Sequence, residues 1–148
     1  MKPRHRAREI ALQILYQYDV TAHSIGTPIP EGQDLVRDLV HHFEHFHVES
    51  NLRTFASQLV TGSLNHIKKL DALLSKHVSN WKVTRLGFVD RSLLRMATYE
   101  LLNFPETAPS IVIDEAIELA KEFGTEDSPA FINGVLDAIR KEKTDLKD

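Results

Sequence analysis

The sequence predicts an all-α protein of about six or seven helices, and three observations carry that prediction. Apolar residues recur at helical period along the chain; Ile10, Ala11, Ile14, Leu15 and Tyr18, for example, stand at i, i+1, i+4, i+5 and i+8. No stretch alternates apolar and polar residues with period two for long enough to make a strand. The periodic segments are separated by clusters of glycine and proline, such as Gly26, Pro28, Pro30 and Gly32. At 148 residues, 42% apolar and 26% charged, the chain reads as one folded domain over residues 1–148, with no internal repeat and no low-complexity segment.

The elements follow in order. The first helix begins near Pro3 or Arg4, because proline is tolerated in a first turn, and runs to about Ala22. Ser24 to Gly32 is a loop. A second helix starts near Gln33 and ends near His47, with Leu35, Val36, Leu39, Val40, Phe43 and Phe46 in step. Glu49 to Val78 holds the longest unbroken period. As one helix it would be about 40 Å long and would form a central strut, with Gly62 at a close crossing. Ser79 and Asn80 break it, Trp81 and Val83 plug a gap, and Thr84 to Gly87 turns. Asp90 to Asn103 is the next helix, with Asp90 at its positive end. Pro105 and Pro109 bracket a loop. Ser110 is placed to cap Ile111 to Phe123, and Gly124 to end that helix in the left-handed conformation. Ser128 and Pro129 open a last helix held by Ile132, Val135, Leu136 and Ile139, and residues 141–148 form a polar tail.

Composition excludes several classes. With no cysteine there are no disulfides, thiol nucleophiles or cysteine-ligated metals. No apolar run approaches the ~18 residues that span a bilayer, and Glu9, Gln13 and Gln17 interrupt any secretory core, so a cytoplasmic protein with no membrane partner is expected. Net charge is −3, but it is unevenly spread. Residues 1–8 carry Lys2, Arg4, Arg6 and Arg8 with His5 and no acid, while residues 9–148 hold 14 bases against 21 acids. A cationic N-terminal arm, residues 1–8, rooted in an amphipathic helix on an acidic body should meet a polyanion at one place.

Other candidates have plainer readings. His41 and His45 stand one turn apart, a spacing zinc accepts, but no carboxylate accompanies them in a metal motif, so a solvated face is expected and no metal. Asp114, Glu118 and Glu122 form an ordinary exposed stripe at i, i+4 and i+8. Without a buried nucleophile or phosphate loop beside them, no enzyme is expected and no cofactor. A basic amphipathic helix could lie on lipid, but here the apolar face is needed for the core. A protein-only adaptor is the remaining alternative. Tyr16, Phe123 and Phe131 can each pack in the core or stack a base, and core packing is the commoner fate of such residues.

Three long segments are distinctive: RAREIALQILYQY at Arg6–Tyr18, GFVDRSLLRMATYEL at Gly87–Leu101 and IDEAIELAKEFGTEDSPAFINGVLD at Ile113–Asp137. Together they resemble the NusB transcription antitermination family. From Val20 to about Lys82 only the helical pattern matches. The resemblance implies a fold of two small helical bundles set across one another and a non-catalytic factor that binds boxA-type single-stranded nascent RNA. It implies NusE, a small-subunit ribosomal protein, as partner, and an elongating RNA polymerase with other Nus factors as context, in ribosomal RNA operons for example. Some relatives self-associate, so a homodimer stays open. Carried over residue by residue, the resemblance gives an RNA-binding set of Lys2, Arg4, His5, Arg6, Arg8, Tyr16, Phe123 and Asp127. His5 stands where relatives often have arginine, and Asp127 reads as a carboxylate that limits RNA affinity. Asp90 falls at the expected NusE interface, and Thr84 replaces a position there that is often glutamate.

Overall fold

The structure is a computed structural model that describes residues 3–78 and 83–146, with side chains described as far as Glu142. Lys2, the Ser79–Asn80 break and Trp81 lie outside the described residues, as do the side chains of most of the expected tail. The described residues contain seven α-helices and no strand. The helices are α1 (Pro3–Ser24), α2 (Gly32–His45), α3 (Ser50–Asn65), α4 (Ile67–Ser75), α5 (Phe88–Asn103), α6 (Pro109–Phe123) and α7 (Ser128–Leu146), with a 3-10 turn at Val83–Arg85 before α5. The chain divides into two compact units, Met1–Leu64 and Asn65–Asp148. No helix among the described residues is long and apolar enough to cross a membrane.

In the first unit, Ile10, Ile14, Leu15 and Tyr18 of α1, Leu35, Leu39 and Phe43 of α2, and Phe55, Leu59 and Val60 of α3 are buried. Each large apolar side chain removed from water in this way contributes about 1.5–3 kcal/mol before chain entropy is counted. Polar contacts fix how the helices meet. The Tyr18 hydroxyl donates to Asp38 of α2, and the Tyr18 ring meets His42 edge-on at 5.8 Å. The Arg53 guanidinium of α3 lies over the Phe43 ring at 5.9 Å. Helix α2 ends in a Schellman turn, in which Val48 N–H donates to the Phe43 carbonyl at 2.8 Å and His47 N–H to Glu44 at 3.2 Å. The turn requires a left-handed residue, and His47 supplies it with φ of 53° where glycine is usual.

In the second unit α5, α6 and α7 pack on one another and α4 packs on α5. Leu93, Leu94, Met96, Leu119, Ile132, Leu136 and Ile139 are almost fully buried. Arg95 of α5 grips Asp71 of α4 with two hydrogen bonds, at 2.8 and 2.7 Å. His77 bonds Glu142 of α7 at 2.9 Å.

Three local expectations are corrected. The long Glu49–Val78 helix is broken at His66, whose backbone leaves the helical region at φ −123° and ψ 22°. Gly62, Ser63 and Asn65 are poor helix formers, and the His66 ring stacks on Tyr99 of α5 at 5.8 Å. Ser110 does not cap α6, since Ala108 holds the cap position without a side-chain bond and Pro109 opens the helix. Gly124 ends α6 in extended backbone, φ −92° and ψ −164°, rather than left-handed. It must be glycine for a steric reason: a Cβ there would lie 2.5 Å from Ser128 Oγ and 2.8 Å from the Ala120 carbonyl.

Candidate functional site

The basic segment is not a loose arm. Helix α1 already includes Pro3, so Arg4, His5, Arg6 and Arg8 are spaced by helical geometry. Arg4 and Arg8, one turn apart, both aim at Phe55 of α3, with guanidinium carbons 4.2 and 5.2 Å from the ring centre. Cation–π attraction and packing of the aliphatic stems hold them there. The consequence differs for the two. Arg4 stays exposed, whereas Arg8 is only 3% exposed and does not present its charge to solvent. The i, i+4 spacing that brings Arg8 beside Arg4 also places it against α3. Arg6 bonds Glu9, a nearly buried carboxylate, and its own side chain remains 43% exposed. His5 is half-buried.

Tyr16 departs from core packing, the commoner fate of a residue of its kind: it is 40% exposed. Eleven residues from His5, it lies within about 20° of the same helix face. Tyr18 takes the buried position instead. Burial, then the hydrogen bond to Asp38 and that carboxylate's charge, raise the Tyr18 hydroxyl far above the ordinary phenol range. Two of the α2 histidines, His42 and His45, are engaged with neighbours. His42 stands 3.4 Å from Asp38 and stacks on Phe46, while His45 meets Phe46 edge-on at 4.9 Å.

In the second unit the N-terminal ends of α5 and α7 meet at a cavity of about 250 Å³ lined by Arg85, Leu86, Gly87, Asp90, Asp127 and Phe131. Asp127 is exposed and immediately precedes α7, where its carbonyl accepts the Phe131 N–H at 3.2 Å. Asp90 lies in the first turn of α5. Both carboxylates therefore sit at positive helix ends. Two structural details hold the cavity in shape. Ser128 Oγ accepts the Thr125 N–H at 2.9 Å and fixes the turn leading to Asp127. The Arg91 guanidinium, buried beside the Phe88 ring, donates to the Thr84 carbonyl at 3.2 Å and anchors the 3-10 turn.

Asp90 Oδ1 is buried and has no hydrogen-bond partner among the described residues. A buried carboxylate oxygen without a donor is costly, and a donor from outside the chain would relieve it. Asp90 and Asp127, given separate roles by the resemblance, thus line one cavity. Thr84 is exposed and meets the site through its backbone; Phe123 is half-buried and does not line the cavity. Arg85, Arg91 and the cavity-lining position of Phe131 were not legible beforehand. An arginine beside a helix start carries no signal of its own, and Phe131 has the same apolar period as the core.

The sequence profile of the NusB family matches residues 5–141. Among curated relatives, the transcription antitermination protein NusB of Elusimicrobium minutum is 44% identical over 144 residues, 97% of this chain and 96% of its own. Among solved structures, T. maritima NusB superposes with a TM-score of 0.80 at 33% identity, covering 97% of this chain and 98% of that one. A second, described as antitermination factors NusB and NusE in complex with dsRNA, superposes with a TM-score of 0.77 at 28% identity, covering 95% and 98%. The fold, the segments quoted above and these matches agree: this chain belongs to the NusB family.

Proposed function

We propose that this protein is a non-catalytic transcription antitermination factor of the cytoplasm. It binds boxA-type single-stranded nascent RNA together with NusE and supports processive elongation by RNA polymerase, as in ribosomal RNA operons. The observation that carries the reading is the anchored start of α1, where Arg4 is held over Phe55 with Arg6, His5 and Tyr16 on exposed or half-exposed positions. Guanidiniums pre-ordered on a helix lose little freedom on meeting phosphate, and an exposed tyrosine offers a face for an unstacked base. Lys2 and Phe123 belong to the same RNA-binding set by resemblance, and Arg8 supports it from beneath. Asp127 faces the RNA as a brake, since a carboxylate near phosphates weakens binding. Asp90, with its unsatisfied oxygen, and Thr84 receive NusE.

The test is RNA binding with and without NusE, using a boxA-containing single strand beside a duplex control. The reading expects tighter binding with NusE, Asp127→Asn to tighten RNA binding, and Asp90→Lys to impair NusE association in a folded protein. Binding of neither RNA in the presence of NusE overturns it. Preference for the duplex replaces the single-strand part of the reading.

A further inference from the structure

We infer that the groove between α1 and the α2–α3 turn is a pocket for one unstacked nucleobase of the bound RNA, with Phe46 as its stacking face. The inference rests on the RNA-binding reading above and adds a subsite that the reading does not contain. Phe46 caps α2 and is 53% exposed, an unusual position for a phenylalanine. Its ring is not loose: His42 stacks on it at 6.3 Å with planes 6° apart, and His45 braces its edge. The Schellman turn through His47 fixes the backbone beneath it. Phe46 and Arg6 together line two adjoining cavities, of about 270 and 50 Å³.

The larger cavity has the character of a base site. Ile10, Val48 and Leu52, all buried, line it with apolar surface for a ring face. Glu49 and Asn51, both exposed, bring carboxylate and amide groups that can pair with a base edge. Its volume of about 270 Å³ leaves room for one planar heterocycle. The charge balance favours a base over a phosphate inside. Arg6 is already paired with Glu9, and Glu49 adds a second negative charge at the cavity. A phosphate would be repelled inside the cavity but accommodated at its rim, over exposed Arg4 and the outer edge of Arg6, whose side chain stays 43% exposed beside Glu9. Glu49 also favours bases that carry an amino group (cytosine, adenine or guanine) over uracil, because a carboxylate accepts but cannot donate.

The experiment uses the full chain with NusE and a boxA-containing single-stranded RNA, intact or with one abasic position moved along it. Phe46→Ala should weaken binding roughly 5- to 150-fold, the effect of losing one stacked base, and Phe46→Tyr should restore it. One abasic position should weaken binding to the native chain by a similar factor and add little in Phe46→Ala. Glu49→Gln should narrow the difference between cytosine and uracil at that position. Phe46 is half-exposed, so Phe46→Ala leaves the core intact, and circular dichroism confirms that the variant is folded. Unchanged affinity of folded Phe46→Ala, or an abasic scan with the same profile in both proteins, overturns the pocket while leaving RNA binding through Arg4 and Arg6 standing. Loss of NusE association by Phe46→Ala with RNA affinity unchanged assigns the groove to protein and also overturns it. If the native chain with NusE ignores the RNA, the pocket and the functional reading fall together.

Discussion

Substituting Gly124 by alanine should destabilise the protein, although its backbone is one that alanine can adopt. At φ −92° and ψ −164° there is no left-handed strain to invoke. Placed on that backbone, the new methyl would lie 2.5 Å from Ser128 Oγ, 2.7 Å from Ser128 Cβ and 2.8 Å from the Ala120 carbonyl oxygen. The last atom belongs to the helix, which accepts the Gly124 N–H at 2.9 Å and cannot retreat without losing that bond. Overpacking of this kind costs about 1–3 kcal/mol. Alanine recovers about 0.4–1 kcal/mol by restricting the unfolded chain. The midpoints of these ranges leave a net loss of about 1.3 kcal/mol, or a Tm lower by about 4 °C at the entropy expected for this length.

Gly134→Ala is the matched control. Gly134 is exposed within α7 and nothing lies within 4 Å of the new methyl, so the change should stabilise by about 0.5–1 kcal/mol. Urea and thermal unfolding monitored by circular dichroism read both. Because the Gly124–Ser128 turn carries Asp127, Gly124→Ala should also change RNA affinity, whereas Gly134→Ala should not. Equal stabilisation by the two alanines would refute the steric account of the turn.

Two further predictions come from the first unit. Tyr18 has a raised pKa in the folded state, so its contribution is fully present below the unfolded value near 10 and is lost progressively as pH rises above it. Unfolding followed between pH 8 and 11 should show stability falling at the alkaline end, and Tyr18→Phe should flatten that fall while costing about 1 kcal/mol at neutral pH; an identical pH profile in the variant would count against the Tyr18–Asp38 link. His47→Gly should stabilise by about 1 kcal/mol, since glycine takes the left-handed position freely, and a loss in urea unfolding would show that the His47 side chain contributes more than its backbone costs.

Much of the fold was legible because most of its helices are set by local period and by prolines. The first helix was expected from Pro3 or Arg4 and begins at Pro3; the fifth ends at Asn103 as expected, where Pro105 disfavours helical backbone at Phe104, which lies at φ −123° and ψ 72°. The break at His66 was hidden because the apolar residues keep their step on either side of it, and stacking on Tyr99 is a tertiary fact. The site was legible only as residue types. That Arg8 turns inward depends on where Phe55 lies, 47 positions later. That Asp90 and Asp127 share a cavity depends on how α5 meets α7. Phe46 read as one more member of an apolar stripe, and only its exposure sets it apart.

The central claim is that the guanidiniums fixed at the start of α1 carry the RNA. The salt dependence of RNA affinity, measured for the native chain and for Arg4→Gln/Arg6→Gln, tests it most directly. Each phosphate contact removed from a single strand should reduce the log–log slope by about 0.7, so the double variant should be flatter by about 1.4. A slope unchanged by the double substitution, in a protein that still folds, would contradict the account.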